Sequence, residues 1–215
     1  KIFFPFISAE VKFNKNLSFI DIEKYRGYAM RFSHEPNVTL VLGAGNVSCI
    51  PLLDVIYHMA TKRSVVYLKL NPVNDYLLPV YEKVFENFIS RGFMVVTKGS
   101  LEESEYMVQH KGIDHIHLTG SDETYELIVY GRKLNDAEKQ LKSLTKINPV
   151  SFSSELGNVT PIIIHPGKWS TGELKFQARK IVTAKLNNGG FNCISAQVVI
   201  MPENWKHTDK LIMYI

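Results

Sequence analysis

The chain has 215 residues, 45% of them apolar and 21% charged, and a formal net charge of +4. These proportions exclude a disordered or fibrous polypeptide and suit one sizeable core, or one domain with part of another. Basic residues are dispersed, as in Lys139, Lys142 and Lys146. That pattern describes a solvated helix face and argues against a nucleic-acid partner. Two cysteines, Cys49 and Cys193, are too few for a disulfide scaffold, so the expected setting is reducing and cytoplasmic. No apolar stretch approaches the ~20 residues of a membrane span, and no membrane partner is expected. The apolar start, broken by Pro5 and lacking an initiator Met, leads us to expect a segment of a longer protein.

Residues 1–36 read as an N-terminal segment. Val38 to Leu42 is a β-branched run that predicts a strand, ending in Gly43-Ala44-Gly45-Asn46. Leu52, Leu53, Ile56 and Met59 follow at helical spacing. Ser64 to Leu70 predicts a second strand, stopped by Asn71-Pro72. Val80, Val84, Phe88 and Ile89 then mark one helix face. A third strand is expected at Phe93 to Val96, a polar helix at Leu101 to Gln109, and a fourth strand at His115 to Leu118. Thr119-Gly120-Ser121 opens another helix, and residues 131–148 read as a polar, helical surface insertion. Beyond Pro149 the pattern predicts strands at Val150 to Ser154, Ile162 to Ile164 and Gln197 to Met201. Helices are expected at Glu173 to Leu186 and Asp209 to Ile215.

Strands alternating with helices at this period predict βαβ units and an α/β fold, Rossmann-like, with a mainly parallel sheet and helices on both faces. We place this domain at 37–155, followed at 156–215 by the start of a second α/β domain. Ligands of such sheets bind beyond the carboxyl ends of the strands. Asn46, Lys69, Asn71, Gly120 and Ser121 all fall there, which points to a nucleotide.

Singly, the chemical candidates are ambiguous. Cys193, after Asn188-Gly189-Gly190-Phe191-Asn192, is either a small core residue or a nucleophile raised on a glycine-rich turn. Cys49, at a helix start, reads as core. Glu155 is a solvated carboxylate or a general base beside Gly157. Asn46 tolerates a left-handed turn, or donates its amide to a developing oxyanion. Gly43-x-Gly45 lacks the third glycine of a dinucleotide fingerprint. His115 and His117 share a strand and read as structural; no metal site is expected.

Together these residues form an ordered set. Asn46, Lys69, His117-Leu118-Thr119-Gly120-Ser121, Ser154-Glu155-Leu156-Gly157-Asn158-Val159-Thr160-Pro161 and Gly190-Phe191-Asn192-Cys193 succeed one another over roughly residues 36–201. In order, and largely in spacing, they resemble the motifs of the aldehyde dehydrogenase superfamily. The resemblance implies NAD- or NADP-dependent oxidation of a small-molecule aldehyde. Cys193 would be the nucleophile, Asn46 an oxyanion donor and Glu155 the base that activates water. Lys69, Asn71, Gly45, Gly120 and Ser121 would hold the coenzyme. It also implies a parent enzyme that is a homo-oligomer. The family's downstream E-x-F-G-P segment does not occur in these residues. Pro72 stands where an acidic residue often holds the ribose, Tyr125 stands near a usual glycine where it would crowd or stack on the coenzyme, and Phe191 replaces a usual Gln. Two alternatives remain: a non-catalytic nucleotide-binding module of the same fold, and an acyl-CoA-forming reductase, against which Glu155 argues.

Overall fold

The computed structural model describes residues 10, 12, 16–25, 35–141 and 144–215. Most of residues 1–36 lie outside them, apart from a short helix, α1, at Phe19–Tyr25. The larger sheet contains β1 (Val38–Leu42), β2 (Val65–Lys69), β3 (Met94–Thr97), β4 (His115–Gly120) and β5 (Ser151–Leu156). Its order is β3-β2-β1-β4-β5, and every neighbouring pair is parallel. Parallel neighbours need crossover connections. These are α2 (Ile50–Thr61), a 3-10 turn at Pro72–Leu77 running into α3 (Leu78–Val84) and α4 (Glu86–Ile89), α5 (Leu101–Val108), and α6 (Asp122–Tyr130). A second, two-stranded parallel sheet pairs β6 (Thr160–Ile163) with β7 (Ala196–Ile200). α8 (Thr171–Leu186) lies between them in sequence, and α9 (Thr208–Tyr214) packs on α8.

Alternation along the strands gives the main sheet two apolar faces. Val41, Val66, Leu68, Met94 and Val96 join Val55 of α2 and Tyr81 and Phe85 near α3 on one. Leu40, Leu42, Ile116 and Leu118 join Val108 of α5, Tyr125 and Phe152 on the other. The expected helix faces need correction. Leu53 and Ile56 are 59% and 49% exposed, and α2 instead buries Pro51, Val55 and His58. Val80, Val84 and Phe88 are also exposed, because the helix breaks at Phe85 and turns Tyr81 and Phe85 inward. Among the described residues of the 131–148 insertion only α7 (Asp136–Lys139) is helical, capped by Asn135 and tied to Arg132 through Glu138.

Part of the contact between α2 and the sheet is polar. His58 is 2% exposed, and its ring lies 5.0 Å from that of His117 and 5.3 Å from that of His115. His115 and His117 bond Ser151 and Ser153 of β5, and His117 faces Asp54 at 3.6 Å. Among the described residues neither nitrogen of His58 has a hydrogen-bond partner. The structural reading of His115 and His117 thus extends to a third histidine. Burial first, then the His117 and His115 rings, bring the His58 pKa down from 6.5 to about 4. A group whose folded pKa lies below its unfolded value stabilises the fold fully above the unfolded pKa, and that stability is lost as pH falls from 6.5 towards 4. The shift corresponds to at most about 3 kcal/mol. Chemical denaturation from pH 8 to pH 4.5 is expected to show this loss, and His58→Leu is expected to flatten it. An unchanged acid limb in the variant would refute the assignment.

Candidate active site

Strand order reverses between β1 and β4, and the loops that leave these two strands bound the crevice where ligands of such sheets bind. The loop after β1 is fixed from two sides. Gly43 N–H donates to the Lys69 carbonyl at 3.0 Å, extending the β1–β2 ladder by one bond. Asn74, 4% exposed, donates its side-chain amide to the Ala44 carbonyl at 2.9 Å. Gly45 is needed for close approach: a Cβ there would stand 2.8 Å from the Asn71 side chain. Asn71 in turn caps the 3-10 turn by accepting from Val73 N–H at 3.1 Å. Asn74 was not among the expected residues. A polar residue in a Pro-led turn carries no sign that it will be buried.

Asn46 does not adopt the left-handed backbone; among the described non-glycine residues only Arg63 and Asn188 have positive φ. Its side-chain amide donates to the Phe191 carbonyl at 2.8 Å, and the Asn188 amide donates back to the Asn46 carbonyl at 2.9 Å. Two segments some 145 residues apart in sequence are thereby joined, and Cys193 follows Phe191 by two positions. Cys193 is exposed on the turn between α8 and β7. Cys49 is exposed too, not core, because it sits at the N-cap of α2 where no helix face covers it.

Lys69 closes β2 and is only 6% exposed. Burial depresses its ammonium pKa, and the nearby carboxylates of Asp75 and Glu103 partly oppose that. The position of Pro72 at the head of the 3-10 turn therefore does not leave the rim without acids. Gly120 and Ser121 lie exposed at the end of β4, where Ser121 caps α6 by accepting from Thr124 N–H at 3.1 Å. The first turn of α6 carries Asp122 and Glu123, which pair with Lys139 and Lys133. Tyr125, expected near the coenzyme, is packed against the sheet. Its ring packs on Phe152 at 5.3 Å and Tyr130 at 6.1 Å within the core.

Glu155 is exposed on β5, opposite Thr119, and among the described residues makes no hydrogen bond to Asn46 or the cysteine turn. A cleft of about 680 Å³ opens between β6 and α8, with Asn187 and Asn192 in its wall but none of Asn46, Lys69, Glu155 or Cys193. Its wall also includes Ile194 and Ser195, which follow Cys193. Among the described residues no cluster of three histidine, cysteine or acidic side chains could hold a metal ion, and no helix is long and apolar enough to cross a membrane.

Comparison with known proteins adds a family to this geometry. The model of the aldehyde dehydrogenase family matches residues 83–212. A D-glyceraldehyde dehydrogenase (NADP(+)) of Picrophilus torridus is 28% identical over 141 residues, which make up 63% of this chain and 25% of that protein. The substrate-bound AldH of Staphylococcus aureus matches with a TM-score of 0.63 at 17% identity, over 84% of this chain and 35% of that one. Succinic semialdehyde dehydrogenase from Streptococcus pyogenes, solved with NADP+ as the cofactor, matches with a TM-score of 0.58 at 18% identity, over 84% and 36%. The chain thus spans about a quarter of the curated relative and about a third of these solved structures.

The buried ammonium of Lys69 yields a test independent of ligand. Among the described residues it closes no ion pair, and its lowered pKa marks a charge that burial disfavours. Lys69→Met, similar in length and uncharged, is expected to keep or raise stability by about 1 kcal/mol in denaturant unfolding. A clear loss of stability would show that the charge is structural.

Proposed function

The chain belongs to the aldehyde dehydrogenase family, and from that premise we propose that it forms the coenzyme-binding region and cysteine-bearing segment of an NAD(P)-dependent enzyme that oxidises an aldehyde to a carboxylic acid. The observation that carries this reading is the bond from the Asn46 amide to the Phe191 carbonyl, which ties the loop at the switch point to the turn bearing Cys193. We draw the boundary between the two regions at residues 155 and 156, where β5 of the larger sheet ends shortly before β6 of the smaller one begins.

In this reading the Cys193 thiolate attacks the aldehyde carbon. A carbon–sulfur bond forms, and the carbonyl electron pair moves onto oxygen. Asn46 supplies one side-chain N–H to that oxyanion, and the backbone N–H of Cys193 supplies the other donor. A nicotinamide coenzyme held at the rim would supply the hydride acceptor, so that the acyl group is left on Cys193 as a thioester. Glu155 takes a proton from water, which attacks the thioester carbon and releases the acid and the thiolate. The part given to Glu155 rests on its place in the Glu155-Leu156-Gly157 segment.

The residues at the rim suit a dinucleotide. Lys69 presents a buried cation that, among the described residues, closes no ion pair. At Gly120-Ser121 the backbone N–H groups at the start of α6 are the available pyrophosphate donors, since the Ser121 hydroxyl is engaged with Thr124. The acidic first turn of α6 works against phosphate there, but Lys133 and Lys139 offset it.

Calorimetric titration of this chain with NAD and NADP tests the reading. Lys69→Ala is expected to weaken binding by about fivefold or more, roughly 1 kcal/mol, and NADP by the larger factor because of its 2′-phosphate charge. Binding unaffected by the substitution would remove Lys69 from the site.

A further inference from the structure

We propose that Asn188 is a positioning residue for the oxyanion donor: it holds Asn46 through the Asn46 main chain, so that the Asn46 amide stays aimed beside Cys193. The inference rests on the roles given above to Asn46 and Cys193, and it concerns a residue to which that reading assigns nothing.

The backbone at this position raises the question. Asn188 (φ 53°, ψ 42°) and Gly189 (φ 62°, ψ 15°) are left-handed, and Gly190 follows with φ 83°. A β-carbon in that region is disfavoured, and glycine avoids the cost. The next two residues are glycine, yet 188 keeps a side chain. Asn188 is also exposed, so burial does not explain it.

Its hydrogen bonds do. The Asn188 amide nitrogen donates to the Asn46 carbonyl at 2.9 Å and to Asn192 Oδ1 at 3.3 Å. Asn192, next to Cys193, donates to the Asn187 carbonyl at 3.4 Å. Asn46 returns a bond to Phe191 at 2.8 Å. The two segments therefore grip each other in both directions: Asn188 fixes where the Asn46 backbone lies, and Phe191 fixes how the Asn46 amide is turned. A carboxamide nitrogen has two hydrogens. With one committed to Phe191, the second remains for the reacting oxygen. Without Asn188, the Asn46 loop keeps only the Phe191 bond to the cysteine turn, and one bond leaves the amide free to pivot.

The test compares two reactions of Cys193 in this chain, with Cys49→Ser as background because Cys49 is exposed as well. With p-nitrophenyl acetate the thiolate attacks the ester carbonyl, passes through an oxyanion, expels p-nitrophenolate and is left acetylated. With iodoacetamide it displaces iodide and no oxyanion forms. Only the first reaction reads the donors; both read the thiolate. Asn188→Gly relieves the left-handed backbone while deleting the amide, so thermal stability is expected to hold. Asn46→Ala and Asn188→Gly are each expected to slow acetylation about tenfold or more, with alkylation within about twofold of the parent. If Asn46→Ala slows acetylation selectively and Asn188→Gly does not, the proposal is overturned and the role of Asn46 stands. Equal slowing of both reactions by Asn188→Gly would make Asn188 merely structural and would also overturn it. Acetylation that survives Asn46→Ala would remove the oxyanion donor, and the proposal with it.

Discussion

Because the five strands of the larger sheet all run the same way, every loop that follows a strand is delivered to one rim. Asn46, the Lys69–Asn71 segment and Gly120-Ser121 are far apart in sequence, yet parallel pairing places the strands that lead to them side by side. The reversal of strand order between β1 and β4 then opens space between their loops. The smaller sheet contributes the remaining element, the turn before β7. It reaches the rim through the exchange of bonds among Asn46, Phe191 and Asn188. The candidate chemistry depends on that junction, since the proposed nucleophile and the proposed oxyanion donor sit on opposite sides of it.

The same rim carries groups that a stability-driven sequence would avoid. Lys69 keeps a charge where burial depresses its pKa. Gly45 is held small by the Asn71 side chain, and Asn188 holds a left-handed backbone. The buried charge and the left-handed asparagine are locally unfavourable, and both belong to the proposed site. The His58 cluster differs. It lies within the contact of α2 with the sheet, is hydrogen-bonded largely to β5 serines, and belongs to the fold.

Strands were the most legible part of the sequence. Val38–Leu42 is β1 as expected, and β2, β3, β4 and β7 begin or end within one or two residues of their apolar runs. Short β-branched runs between turn residues have few other readings. Most helix positions were legible, the 131–148 insertion and the break at Phe85 excepted, but faces were not: α2 has apolar residues around its circumference, so spacing alone could not choose Val55 and His58 over Leu53 and Ile56. Motif order brought Asn46 and the cysteine turn to attention, but the hydrogen bonds joining them are contacts across some 145 residues, which no local pattern encodes. Asn74, Asn188 and the partnership of His58 with His117 were unreadable for the same reason. The packing of Tyr125 on Phe152 was likewise unreadable, because its place near Gly120-Ser121 in sequence says nothing of its rotation.

Localising the coenzyme is the most direct test of the account. Hydrogen–deuterium exchange of this chain, with and without saturating NADP, reads backbone protection segment by segment. The account predicts slower exchange at the strand ends of the rim, in residues 43–46, 69–74 and 120–125, with the outer face of α8 unchanged. Protection confined to the cleft between β6 and α8, with the rim unaffected, would contradict it.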